Sequence, residues 1–177
     1  MAAVENESIR VCPFTVLIDQ QEKAPYPFTN IPAQYAANAD TSLIIRTQRL
    51  HLKTGDYSIE GHHNSLSIER KSLEDFFATL GTEKKRERFR REVIRLSEME
   101  NCIVLVEATW PMIRNPAKYR NNWKSRLNPR SVYGTILEWQ RKYERVNWIL
   151  SGTRRMGEIL TFDMLERFWE RNKEEKT

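Results

Sequence analysis

Two carboxylates and an amine, those of Asp56, Glu69 and Lys71, fall in a stretch whose apolar and polar residues alternate as in a β-hairpin. With Gly61, His62, His63 and Asn64 as the loop, Glu60 opposes Ser65, Ile59 opposes Leu66, Ser58 opposes Ser67, Tyr57 opposes Ile68 and Asp56 opposes Glu69. Tyr57, Ile59, Leu66 and Ile68 then share an apolar face, while Asp56, Ser58, Glu60, Ser67 and Glu69 share the polar one, joined by Lys71. A slip of one residue would mix the two sets, so the pattern sets the register. Opposed side chains hold their Cβ atoms about 4.5 to 5.5 Å apart, where two like charges destabilise a sheet unless a cation lies between them. A hard divalent ion such as Mg²⁺, keeping several waters, suits two carboxylates better than a histidine or thiolate site would. An ion that activates water and grips phosphate oxygens, with an ammonium group against the developing charge, is what phosphodiester hydrolysis needs.

Arg70 points to the apolar face of the same strand and needs a counter-charge, for which Asp75 is near enough in sequence. A plainer reading of these residues stands beside the chemical one. Glu69, Arg70 and Lys71 also fit an exposed charge run at a strand end, Asp75 a capping acid, and Asp56 a turn residue after Gly55.

The elements that would hold this hairpin follow from periodicity. Residues 14–18 form an apolar, partly β-branched run ending at Asp19, as a buried strand does, and a loop with Pro25, Pro27 and Pro32 follows. Ser42 to Gln48 predicts a second strand, broken by Lys53, Thr54 and Gly55. After the hairpin, Ser72 with Asp75 three residues on has the form of a capping box, Phe76, Phe77 and Leu80 make the apolar side, and Gly81 predicts the stop. Phe89, Val93, Leu96 and Met99 predict one stripe of an amphipathic helix from Glu83 to about Glu100. Residues 102–106 form a continuous apolar run, the mark of a strand buried on both faces. Pro111, Pro116 and Pro129 predict a largely irregular loop, Ser131 a helix cap, residues 146–150 a further strand, and residues 156–172 a last helix. Strands first and then alternating helix and strand predict an α/β fold, a mixed central sheet flanked by helices in a single domain. The division expected is a polar lead at 1–13, the domain at 14–172 and a charged tail at 173–177.

The chain of 177 residues has 40% hydrophobic and 30% charged residues, and no apolar run nears the about 18 residues of a spanning helix, which excludes a helical membrane protein. The start carries Glu5 and Glu7 and lacks a signal peptide's basic and apolar regions, so cytoplasmic residence is expected. Cys12 and Cys102 lie far apart without CxxC spacing and read as reduced thiols. The net charge of +5 raises the prior for a polyanionic partner, and its distribution says more. Residues 84–95 hold seven Lys and Arg against two Glu, and residues 114–130 hold six Lys and Arg with no acid. Lys84, Lys85, Arg88 and Arg91 on the helix, and Lys118, Arg120, Lys124 and Arg126 interleaved with Tyr119 and Trp123 in the loop, suit backbone contact and stacking on unpaired bases. Their plainer reading is a solvated helix face and a surface loop. His62 and His63 lack a partner for a metal, and Trp139, Trp148 and Trp169 read as packed residues.

Gly55-Asp56, a gap, then Glu69-Arg70-Lys71 and Asp75 resembles the signature of the XPF family of structure-specific endonucleases, GD followed by ERKxxxD. Ile18-Asp19-Gln20-Gln21-Glu22 is similar to that family's first motif, VDxRE, with Gln21 where the family has Arg. The resemblance implies a restriction-endonuclease-like fold, dependence on Mg²⁺ or Mn²⁺, and incision of flaps, forks or other single-strand to double-strand junctions in DNA. It implies metal binding by Asp56 and Glu69, with the Arg70 carbonyl as a third ligand and Asp19 and Glu22 as further acids. It also implies that Lys71 stabilises the phosphate or orients the water, and that Arg70 and Asp75 brace the site. Family members commonly carry a tandem helix-hairpin-helix domain after the nuclease domain, and no Gly-rich hairpin follows Trp169 here. A homodimer or a partner protein that targets DNA is the expectation, with residence in the nucleoid of a prokaryote or the nucleus of a eukaryote. Two rivals stand beside this one: a non-catalytic DNA-binding module of the same fold, and a nuclease without structure preference or directed at RNA.

Overall fold

The computed structural model describes residues 10–31 and 43–174. Residues 1–9 of the polar lead, Pro32, Ser42 and residues 175–177 of the charged tail lie outside the described residues. The strands are β1 (Arg10–Asp19), β2 (Leu43–Leu50), β3 (Tyr57–Ile59), β4 (Leu66–Ser72), β5 (Asn101–Glu107) and β6 (Val146–Leu150). The helices are α1 (Leu73–Leu80), α2 (Glu83–Ser97), α3 (Trp110–Arg114), α4 (Pro116–Tyr119), α5 (Pro129–Lys142) and α6 (Arg154–Glu174).

The six strands form one sheet in the order β2-β1-β3-β4-β5-β6. β1 runs parallel to β2 and antiparallel to β3, β3 is antiparallel to β4, and β4, β5 and β6 are parallel. Alternation sorts the side chains into two cores. Leu66 and Ile68 of β4 and Ile103 and Leu105 of β5 pack against Phe162, Leu165 and Phe168 of α6. Cys102, Val104 and Val106 face the opposite way, against Phe76 and Phe77 of α1, Phe89 and Val93 of α2 and Ile136 and Trp139 of α5. Helices therefore cover both faces, as a parallel sheet segment requires, and the expected mixed α/β architecture is the one observed. Among the described residues no helix is long and apolar enough to cross a membrane.

The prolines behave differently from the expectation. Pro111 and Pro116 sit in the first positions of α3 and α4, where the missing N–H costs nothing, so they open short helices instead of keeping the segment irregular. Pro129 likewise begins α5, whose cap is Asn128 accepting from the Arg130 N–H at 2.9 Å, so Ser131 lies inside the helix and not at its cap. The α1 signals held: the Ser72 Oγ accepts the Asp75 N–H at 3.0 Å, and Gly81 ends the helix. Cys12 and Cys102 are free and buried.

Candidate active site

The hairpin turn spans residues 60–65, and the strands beyond it hold the predicted register, with Tyr57 opposite Ile68. Tyr57, Ile59, Leu66 and Ile68 all join the α6-side core. Gly55 precedes Asp56 with φ of 75°, a region where L side chains are strained, and a Cβ there would collide with the Ser67 Oγ. This tight approach brings Asp56 onto β4. Its N–H donates to the Ile68 carbonyl at 2.8 Å, its carbonyl accepts the Asp19 N–H at 2.8 Å, and its Oδ2 accepts the Arg70 N–H at 2.8 Å.

Glu69 and Lys71 lie on the α2 side of β4, in register with Val104 and Val106 of the opposite core. The Lys71 Nζ makes an ion pair with the Glu69 Oε1 and stands 5.0 Å from the centre of the Phe89 ring. Burial raises the Asp56 carboxyl well above its ordinary range, and the Glu69 charge pushes it further. Burial pushes Glu69 up to about 7, with the Glu92 carboxylate adding to the effect and Lys71 opposing it. Burial works against the Lys71 ammonium, but Glu69, Glu92 and Asp56 outweigh it and hold its pKa above the ordinary lysine value. Two acids are thus crowded beyond what one lysine neutralises. Glu92, on α2, is a site residue the sequence reading missed. Its signal was its place on the edge of the buried Phe89 and Val93 stripe, an acid among arginines.

Arg70 faces the other core, and its partner corrects the expectation. Its Nε donates to the Glu107 Oε1 at 2.7 Å and its Nη2 to the Glu107 Oε2 at 2.9 Å, both residues being buried. Asp75 instead accepts from the Ser72 Oγ at 2.8 Å in its own capping box and is exposed. α1, which carries Asp75, packs on the opposite face of the sheet, whereas Glu107 ends the neighbouring strand on Arg70's own face. The Tyr26 hydroxyl donates to the Glu107 Oε1 at 2.8 Å, and the Tyr26 ring stacks on Tyr57 at 5.2 Å and lies 5.4 Å from the Arg70 guanidinium. Glu107 and Tyr26 thus complete a brace that sequence spacing did not reveal.

The four acids of the expected metal set, Asp19, Glu22, Asp56 and Glu69, all line one cleft. Asp19 lines the cleft, but its Oδ2 accepts the Gln21 N–H and its Oδ1 the Leu52 N–H, each at 2.9 Å. The Glu22 Oε1 accepts the Ala24 N–H at 2.6 Å and lies 3.5 Å from the Arg70 Nη1. These contacts occupy part of each carboxylate, as the Arg70 N–H does at Asp56, and among the described residues no group of three or more His, Cys, Asp or Glu is arranged to hold a metal. A hard ion that keeps most of its waters needs only one or two protein carboxylates, so the crowded carboxyls of Asp56 and Glu69, whose charged forms repel each other, fit Mg²⁺ or Mn²⁺.

Asp56, Glu69, Lys71 and Glu92 line one cleft of about 870 Å³, which Asp75 also borders. Lys85, Arg88 and Arg91 from α2 stand on its wall, so the cationic helix face overlooks the acids. Arg120, Lys124 and Arg126 line a neighbouring cavity, while Lys84 and Lys118 line neither. Trp139 is buried, Trp148 and Trp169 pack against the two cores, and His62 rests edge-on against Phe168 at 5.3 Å.

Comparison with known proteins bears on the family and the fold. The profile of the ERCC4 domain matches residues 18–158. The fold is similar to that of XPF from Aeropyrum pernix, at 24% identity and a TM-score of 0.57, over 89% of this chain and 65% of that one. It is also similar to XPF from Aeropyrum pernix in complex with DNA, at 22% identity and a TM-score of 0.53, over 90% of this chain and 66% of that one. The chain thus spans a little less than two thirds of the solved structures it matches. No curated protein matches it.

Proposed function

Because this chain belongs to the ERCC4 domain family, we propose that it is an endodeoxyribonuclease that hydrolyses phosphodiester bonds with a divalent cation, at junctions between single- and double-stranded DNA. The observation that carries the proposal is the meeting of Asp56, Glu69 and Lys71 in one cleft beneath a cationic helix face. Asp56 and Glu69 would hold Mg²⁺ or Mn²⁺, with the Arg70 carbonyl as a further oxygen. The ion would supply positive charge to activate water and bind the phosphate oxygens.

The chain's own residues divide the remaining work. Lys71 stays protonated among the acids and sets an ammonium group where negative charge grows on the phosphate. The Arg70–Glu107 pair locks β4 in place, so that Glu69 and Lys71 on the opposite face keep their aim. Arg88 and Arg91 draw the DNA backbone to the cleft. The complex of the similar Aeropyrum pernix protein with DNA supports DNA as the polymer acted on. Targeting through a second copy of the chain or a partner protein, and residence with the DNA in nucleoid or nucleus, complete the proposal.

Flap, fork, single-stranded, duplex and RNA substrates incubated side by side with Mg²⁺, Mn²⁺ or chelator test it. Metal-dependent cutting of flap or fork DNA is expected. Binding without cutting on every substrate and metal would make the chain a DNA-binding module instead.

A further inference from the structure

A second cavity, of about 780 Å³, opens between the end of α1, the start of α2 and residues 120–127. Its size lies within the about 300 to 1,000 Å³ typical of clefts that enclose a small ligand. The floor is apolar and centres on Trp123, held edge-on against the buried Phe77 ring at 4.9 Å and 89° and packed against the core beneath while still partly exposed. Asn122, with φ of 57°, makes the left-handed turn that seats this indole, a conformation asparagine tolerates better than most residues.

The rim is cationic. Lys85, Arg120, Lys124 and Arg126 line it, against a single acid, Glu74, which Arg120 neutralises across 2.9 Å. The N-terminus of the 15-residue helix α2 also borders it, adding the positive end of a helix dipole. The cavity adjoins the catalytic cleft, because Ala78 and Lys85 line both. A DNA strand lying in the cleft therefore passes Lys85 on its way here.

An aromatic floor under a cationic rim is the chemistry that recognises a nucleotide, a base on the ring and a phosphate on the cations. Bases in a duplex are stacked and present only their edges to the grooves, so the nucleotide must be unpaired. We infer that this cavity is a subsite for an unpaired nucleotide of the DNA, with the base against Trp123 and its phosphates against Lys85, Lys124 and Arg126. Cutting would then be set where a single-stranded arm leaves the duplex. The inference rests on the proposed action on DNA and adds the feature of the substrate that is read.

The test compares fluorescein-labelled duplexes with and without a single-stranded arm of about ten nucleotides, by fluorescence polarisation in chelator so that no cutting occurs. Lys124→Glu with Arg126→Glu is expected to lose at least about tenfold more affinity for the armed duplex than for the blunt one. Equal losses on both would reduce these residues to general backbone contacts and overturn the subsite. Trp123→Phe keeps an aromatic ring against Phe77, and oligo(dT) should quench tryptophan emission in the parent protein but distinctly less in this variant. Unchanged quenching would remove Trp123 from contact with the base and overturn the subsite as well. A parent protein that cuts DNA without these differences loses the subsite and keeps the nuclease assignment. One that shows the differences but never cuts loses the nuclease assignment alone.

Discussion

Arg70 and Glu107 meet across neighbouring parallel strands through two hydrogen bonds, Nε to Oε1 at 2.7 Å and Nη2 to Oε2 at 2.9 Å. Both side chains are buried, so removing Glu107 strips the Arg70 guanidinium of its two short hydrogen bonds and leaves it only the looser contact with Glu22 at 3.5 Å. Glu107→Ala should therefore cost about 3 to 5 kcal/mol, seen as a drop in Tm of about 6 to 20 °C. Asp75→Ala removes only half of an exposed capping box and should cost about 1 kcal/mol. Thermal unfolding of the two variants checks the order, and an equal loss would return Asp75 to the role of Arg70's partner.

Why one half of this site was legible in the sequence and the other was not follows from where each contact comes from. The hairpin register was open to reading because alternation has a period of two, and one slip would have turned Ser58 and Glu60 into the α6-side core in place of Tyr57 and Ile59. Asp56, Glu69 and Lys71 share a face for that reason alone. Glu107 lies on the strand beside Arg70, and no local pattern sets the register of two parallel strands separated by two helices. Its signal was an acid closing the apolar run at 102–106. Backbone amides from Gln21 and Leu52 each donate to one oxygen of Asp19, contacts from loops that leave no trace in spacing.

Metal-free stability should depend on pH in an unusual direction. The Glu69 carboxyl is raised from 4.5 to about 7 in the folded chain, and Asp56 moves the same way. Between those values the native state holds protons that the unfolded chain has released, so stability falls as pH rises through the window. In chelator, Tm should drop by a few degrees from about pH 5 to pH 8, and Glu69→Gln should flatten the slope. Added Mg²⁺ should raise Tm more at the upper end than at the lower. A slope that Glu69→Gln leaves unchanged would detach Glu69 from this behaviour.

Lys71→Met should lower single-turnover cutting by about 10² to 10³-fold, the usual cost of removing one preorganised partner of a developing charge. DNA affinity in chelator should change by only a few-fold, since one phosphate contact at most is lost. A collapse of affinity matching that of rate would make Lys71 a binding residue.

Salt titrations should report the cationic wall. On duplex DNA log K should fall with log salt at about 0.9 per phosphate neutralised. Arg88→Glu with Arg91→Glu, at the cleft, should flatten that slope more than Lys84→Glu with Lys118→Glu, which line neither cavity. Equal slopes in the two variants would mean that DNA does not enter over the face of α2 that carries Arg88 and Arg91.

Incision of an end-labelled flap duplex by the parent chain and by Asp56→Asn, each in Mg²⁺ and again in excess chelator, addresses the paired carboxylates most directly. The parent chain should cut in Mg²⁺ and stop in chelator, while Asp56→Asn should still bind the flap and cut at least about 10²-fold more slowly. Cutting by Asp56→Asn at the parent rate, or cutting that survives the chelator, would contradict a divalent ion held between Asp56 and Glu69.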